Sequence, residues 1–137
     1  MKKHVHFLLI VAAMLLPLSL SAQGAVSAPY EETFDNGLGS WTAIDNDADG
    51  HNWTVTDGYV MSESYGDGAY APDNWLVSPA ITLGNGVFTL SWDDVNYDES
   101  YPEHYSVYIS TTGGTVADFL AGVQIYDYTF TTEQVCS

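Results

Sequence analysis

The sequence predicts an all-β domain, a jelly-roll β-sandwich of antiparallel strands, and three observations carry that reading. The first is alternation. In 87–92, Phe88, Leu90 and Trp92 fall on one face and Val87, Thr89 and Ser91 on the other; in 104–110, Tyr105, Val107 and Ile109 oppose His104, Ser106, Tyr108 and Ser110. A period of two marks a strand with one face buried. The second is punctuation: Asp35-Asn36-Gly37, Asp57-Gly58 and Gly84-Asn85-Gly86 are turn signals set between β-favouring runs. The third is the near-absence of helical pattern past the N-terminal region, where only Thr115–Ala121 offers a turn or two. Roughly seven to nine short, evenly spaced strands suit a sandwich of jelly-roll type.

Taken in order, the chain opens with Lys2 and Lys3, an apolar run from Phe7 to Leu16, and small residues at Ser19, Ser21 and Ala22. That pattern predicts an export signal over residues 1–22. The run falls short of the about 20 apolar residues that a membrane-spanning helix needs. Residues 23–29 read as a short leader without periodicity, and residues 30–137 as the domain. Strands are expected over 30–35 and 41–44, then 52–56 turning at Asp57-Gly58 into 59–62. The stretch 64–74 reads as an exposed loop. Further strands are expected at 75–77, 81–83, 87–92 and 104–110, with a final β-rich run over 122–132.

Charge narrows the function. Two Lys+Arg stand against eighteen Asp+Glu in 137 residues, a formal charge of −16, and both basic residues lie at positions 2 and 3. Nucleic acids and anionic membranes bind through Lys and Arg, so neither is an expected partner. The same charge opposes compaction unless a cation offsets it. A single cysteine, Cys136, excludes an internal disulfide, the usual staple of a small exported domain.

The acidic residues are not spread evenly. Between Trp41 and Trp53, Asp45, Asp47 and Asp49 alternate and are followed by Gly50. Carboxylates two apart on a tightly turning loop converge, and calcium (Ca2+) is the hard cation that takes such oxygens. The twelfth position of the loop is Thr56 rather than the glutamate of an EF-hand, and no helices flank it, so a different loop geometry is expected. The alternative is a solvated acidic turn. A second cluster, Asp93, Asp94, Asp98 and Glu99, offers a second site or, the reading preferred, solvated charge.

His51 and His104 have no cysteine partners at metal-binding spacing and no nucleophile beside them, and no acid pair is singled out for glycoside cleavage. A non-enzymatic role is expected. Tyr65, Tyr70, Tyr97 and Tyr101 lie in polar loops, where tyrosines contact protein or glycan, or are simply surface residues.

Four blocks in order, Glu32–Gly37 (ETFDNG), Trp41–Trp53, Pro72–Pro79 (PDNWLVSP) and Glu103–Gly113 (EHYSVYISTTG), resemble the cleaved-adhesin domain of gingipain and haemagglutinin regions, also described as choice-of-anchor J. The resemblance covers about Tyr30 to Phe130. It implies a jelly roll that binds calcium and acts as a non-catalytic adhesive module of a secreted or cell-surface protein. Glu32 matches the first acidic position of the opening block and is the outside candidate to join Asp45, Asp47 and Asp49. The resemblance also implies further strands beyond Ser137, so the sandwich here is expected to be partial, with further domains in the full-length protein. The expected partner is an extracellular protein or glycan. A carbohydrate-binding module and a spacer or anchor domain of a larger secreted enzyme are the other readings.

Overall fold

The computed structural model describes residues 24–96, 98, 100–131 and 134–136, the last three by backbone only. The export signal expected over 1–22 lies outside the described residues, as do Tyr97 and Glu99 and the side chain of Cys136.

The domain is all-β. Its strands in order are β1 (Val26–Ser27), β2 (Thr42–Asp45), β3 (Thr54–Thr56), β4 (Tyr59–Met61), β5 (Asn74–Val77), β6 (Ile81–Thr82), β7 (Trp92–Asp94), β8 (Glu103–Ile109), β9 (Val123–Phe130) and β10 (Gln134–Cys136). A short helix, α1 (Val116–Leu120), joins β8 to β9. These strands form two-stranded ladders: β2–β5, β3–β4, β7–β10 and β8–β9 antiparallel, β1–β6 parallel. The two larger facing sheets of a jelly roll are not among the described ladders.

The β8–β9 hairpin is the element on which the aromatic residues meet. Its register pairs Tyr105 with Tyr128, Val107 with Tyr126 and Glu103 with Phe130, then slips by one residue at Val107/Tyr108. Residues paired across a ladder share a face, so Tyr105, Tyr126, Tyr128 and Phe130 form one aromatic surface. Trp92 of β7 packs on it: its ring meets Tyr126 edge-on at 5.3 Å and its Nε1–H donates to the Tyr105 hydroxyl at 2.6 Å. Tyr105 in turn meets Phe130 edge-on at 5.6 Å and donates to Asp94. Phe130 is the buried apolar side chain of this cluster, 6% exposed. On the opposite face of β8, Tyr108 lies 5.5 Å from Trp75 of β5, which stacks on Phe119 of α1 at 6.0 Å. The hairpin thus carries rings on both faces.

Helix α1 starts where a capping box places it. Thr115 accepts from the Asp118 amide at 3.2 Å, and the Asp118 carboxylate accepts from the Thr115 amide at 3.0 Å. These bonds, the Thr115 hydroxyl first, hold Asp118 below the ordinary carboxylate value. The chain then turns at Gly122, where a Cβ would sit 2.3 Å from the Ile109 carbonyl oxygen.

Three expected elements differ. Residues 30–35 are not a strand: Phe34 has φ 58°, and the segment is ordered by Trp41 Nε1–H donating to Tyr30 Oη at 3.0 Å and by the Phe34–Trp41 edge contact at 5.4 Å. Side chains replace the ladder there. Residues 83–91, including the alternating 87–91, form no strand; only Trp92 joins β7, because none of the described ladders runs alongside. All of 81–90 is exposed, with Val87 at 98%. Finally, the leader 23–29 supplies β1, which pairs with β6 through Val26↔Ile81 and Ser27↔Thr82. Two residues are too few to show periodicity.

Candidate metal centre

The loop from Asn46 to Trp53 leaves the ladder of β2 and β5 at the Asp45↔Asn74 pair. Its turn needs left-handed backbone at two places, Ala48 (φ 57°) and Gly50 (φ 87°), and glycine meets the second without strain. The Gly50 amide donates to Asp45 Oδ2 at 3.0 Å and the His51 amide to Asp49 Oδ1 at 2.8 Å, so the carboxylates shape the loop that carries them. The outcome is convergence. Asp45, Asp47 and Asp49 each bring an oxygen within 4.8 Å of the others. Oxygens bound to one calcium ion at about 2.3–2.6 Å lie no more than about 5 Å apart, so the triad has room for one.

Two further observations concern the donor set. Asp45 Oδ1 is buried and has no hydrogen-bond partner, a cost that a cation would remove. The three acids also perturb one another. Burial tends to raise Asp45, but the Gly50 amide, the Asp47 carboxyl and the Ala48 and Asp49 amides outweigh it, and Asp45 is held below the ordinary value. Asp47 is raised by burial, by its hydrogen bond with Asp45 and by the charge of Asp49.

Glu32 does not join this group among the described residues. Its carboxylate accepts from the Phe34 amide at 3.1 Å and the Tyr30 hydroxyl at 3.1 Å, and it orders the opening loop. The described residues of the second acidic stretch form no such group: Asp98 accepts from the Ser100 amide at 2.9 Å, Glu103 from Ser64 Oγ at 2.9 Å, and Asp94 from Tyr105. The residue that the sequence reading missed is Asp73. Its carbonyl accepts from the Asn46 amide at 3.1 Å, its carboxylate from Asn46 Nδ2 at 2.6 Å and from Trp75 Nε1 at 2.8 Å. Its place just before a β-run, in Pro72–Pro79, was the one available signal.

The tyrosines part company. Tyr65 and Tyr101 are each 70% exposed. Tyr70 stacks on His51 at 3.9 Å and 25°, tying the loop 62–73 to the acidic loop. His104 lies elsewhere, bonded to Asp127 at 2.5 Å on an exposed face of the β8–β9 hairpin.

A model of the cleaved adhesin domain matches residues 27–136. This chain belongs to the cleaved adhesin domain family. Its similarity to Gingipain R1 and to Lys-gingipain of Porphyromonas gingivalis is 40% identity over 105 residues, 64% of this chain and 6% of each of those proteins. It is likewise 40% identical over 107 residues to Hemagglutinin A of the same organism, 64% of this chain and 5% of that protein. The chain therefore corresponds to a small part of each curated relative. No solved structure matches. No helix among the described residues of this cleaved adhesin domain is long and apolar enough to cross a membrane.

Proposed function

We propose that this cleaved adhesin domain is a calcium-binding, non-catalytic adhesin module of a larger secreted or cell-surface protein, and that it binds an extracellular protein. In this reading residues 1–22 are the export signal and the five ladders belong to a jelly roll. The observation that carries the calcium assignment is the convergence of Asp45, Asp47 and Asp49, supported by the buried, unpartnered Asp45 Oδ1. These three carboxylates would hold the ion, and Asp73, through Asn46, would hold the loop that presents them. The ion would supply the positive charge that the described residues, with no Lys or Arg, do not. Fixing the loop then fixes His51, and with it Tyr70 and the neighbouring loop. The adhesive assignment rests on family membership and on the names of the relatives, which include haemagglutinins.

Thermal melts with calcium and with chelator test the metal. A ligand at about 100 times its Kd adds about 2.7 kcal/mol to folding, so calcium should raise the wild-type midpoint and leave Asp47→Ala unmoved. A wild-type midpoint indifferent to chelation ends the calcium reading.

A further inference from the structure

Beside the acidic loop lies a cavity of about 150 Å³ lined by Gly50, His51, Asn52, Thr54 and Glu63. The local register explains it. β3 and β4 form a hairpin in which Thr54 faces Met61, and two residues further along the same register Asn52 would face Glu63. The ladder has ended there and the two chains part. The acidic loop enters from one side and the loop 62–73 leaves from the other. Stacking of His51 on Tyr70 at 3.9 Å, with Tyr70 Oη accepting from the Asp67 amide at 3.2 Å, joins the loops across the gap.

The chemistry of the lining is one-sided. Glu63 is exposed and makes no hydrogen bond or ion pair among the described residues. Residues 24–137 contain no Lys or Arg that could neutralise it. Asn52 and Thr54 add polar side chains, and His51 backed by Tyr70 gives a ring wall. The volume is below the about 300–1,000 Å³ of ordinary small-molecule pockets and suits the end of one side chain. A cationic head with an aliphatic stem fits all of this: the head bonds the carboxylate with charge assistance and the stem lies along His51.

We infer that this cavity receives an arginine or lysine side chain of the partner protein, with Glu63 as its counter-ion. The inference rests on the adhesin reading and specifies what that adhesin recognises: a basic side chain presented by an extracellular protein. The cavity adjoins the proposed calcium site, since Gly50 and His51, which line it, donate through their amides to Asp45 and Asp49, but its own carboxylate is that of Glu63.

Amide NMR shifts of the whole chain, in saturating calcium, provide the test, with Nα-acetyl-arginine amide and Nα-acetyl-lysine amide as probes. The neutral analogue Nα-acetyl-citrulline amide and methyl glycosides serve as counter-probes. The basic probes should shift His51, Asn52, Thr54 and Glu63, citrulline should not, and Glu63→Gln, at an exposed position that leaves folding intact, should weaken binding about tenfold. Equal shifts with citrulline, shifts confined to Asp45–Asp49, or an unchanged affinity in Glu63→Gln would overturn the inference, as would saturation by a glycoside in place of the basic probes. Capture of an extracellular protein that survives Glu63→Gln removes this inference alone. Binding of the basic probes without capture of any extracellular protein removes the adhesin reading, and with it the partner protein as the source of the side chain, while the cavity's preference for a basic head stands.

Discussion

Two regions of this domain are ordered by opposite means. At the β8–β9 hairpin, Tyr105, Tyr126 and Phe130 and the Trp92 of β7 that packs on them hold one another through ring contacts of 5.3–5.6 Å. In the acidic loop, side-chain carboxylates cap backbone amides, and the three of them repel one another. Apolar contact lowers the free energy of the hairpin in any solvent that lacks denaturant. The loop concentrates negative charge, with Asp47 pushed up by burial and by Asp45 and Asp49 beside it, and a cation there would relieve that repulsion. A small all-β domain without a disulfide can therefore have one region that is always set and another that the medium sets.

Several perturbations separate the two. Truncating Phe130 to Ala removes the buried ring of the aromatic cluster and should lower stability by about 3–5 kcal/mol in denaturant melts, equally with calcium and with chelator. A loss that calcium restores would break the contrast. Chelation of the wild type should act the other way: faster amide exchange at Gly50 and His51, with Tyr105 and Val107 protected as before. For a site held at about 100 Kd the change corresponds to about 2.7 kcal/mol of local opening, whereas uniform acceleration would show that the ion supports the whole fold.

Gly122→Ala tests the hairpin without touching a ring. A Cβ placed 2.3 Å from the Ile109 carbonyl oxygen must push the α1 exit off β8, and a loss of about 1–3 kcal/mol is expected, read as a lower urea midpoint in either calcium condition. The smallest effects are those of pH. Asp127 is held below the ordinary value by the hydrogen bond from His104 and then by that from Ser106, so its stabilisation is complete above the usual aspartate range and is lost as pH falls through its own lower value. The pair is exposed, and Asp127→Asn should shift the acid limb of stability only slightly, independently of calcium. Asp47 is displaced upward and keeps its proton to higher pH, so calcium affinity should fall as pH drops toward and through the ordinary aspartate range, before Asp127 responds. Calcium affinity flat across that range would remove proton competition from the account of the loop.

Much of this was readable from residues alone. The alternation of 104–110 identified β8, Asp57-Gly58 identified the β3–β4 turn, and Asp45, Asp47 and Asp49 lay close enough in sequence that local geometry had to bring them together. Period, turn chemistry and short-range convergence depend on a few neighbouring residues, and those are what a sequence displays. The alternation of 87–91 was equally clear and no strand formed, since a strand exists only when another lies beside it and pairing partners are remote in sequence. Glu32 could be aligned with the acidic loop but its bonds are to Tyr30 and Phe34, a choice made by how residues 30–41 fold back on themselves. The stacking of His51 on Tyr70, the support from Asp73 and the cavity facing Glu63 bring together positions 10 to 30 apart. The sequence by itself determined the fold class, the charge and the acidic triad, because each follows from composition or local spacing. The tertiary structure alone decided which strands found partners and what stands next to the triad, because both depend on distances that no local pattern encodes.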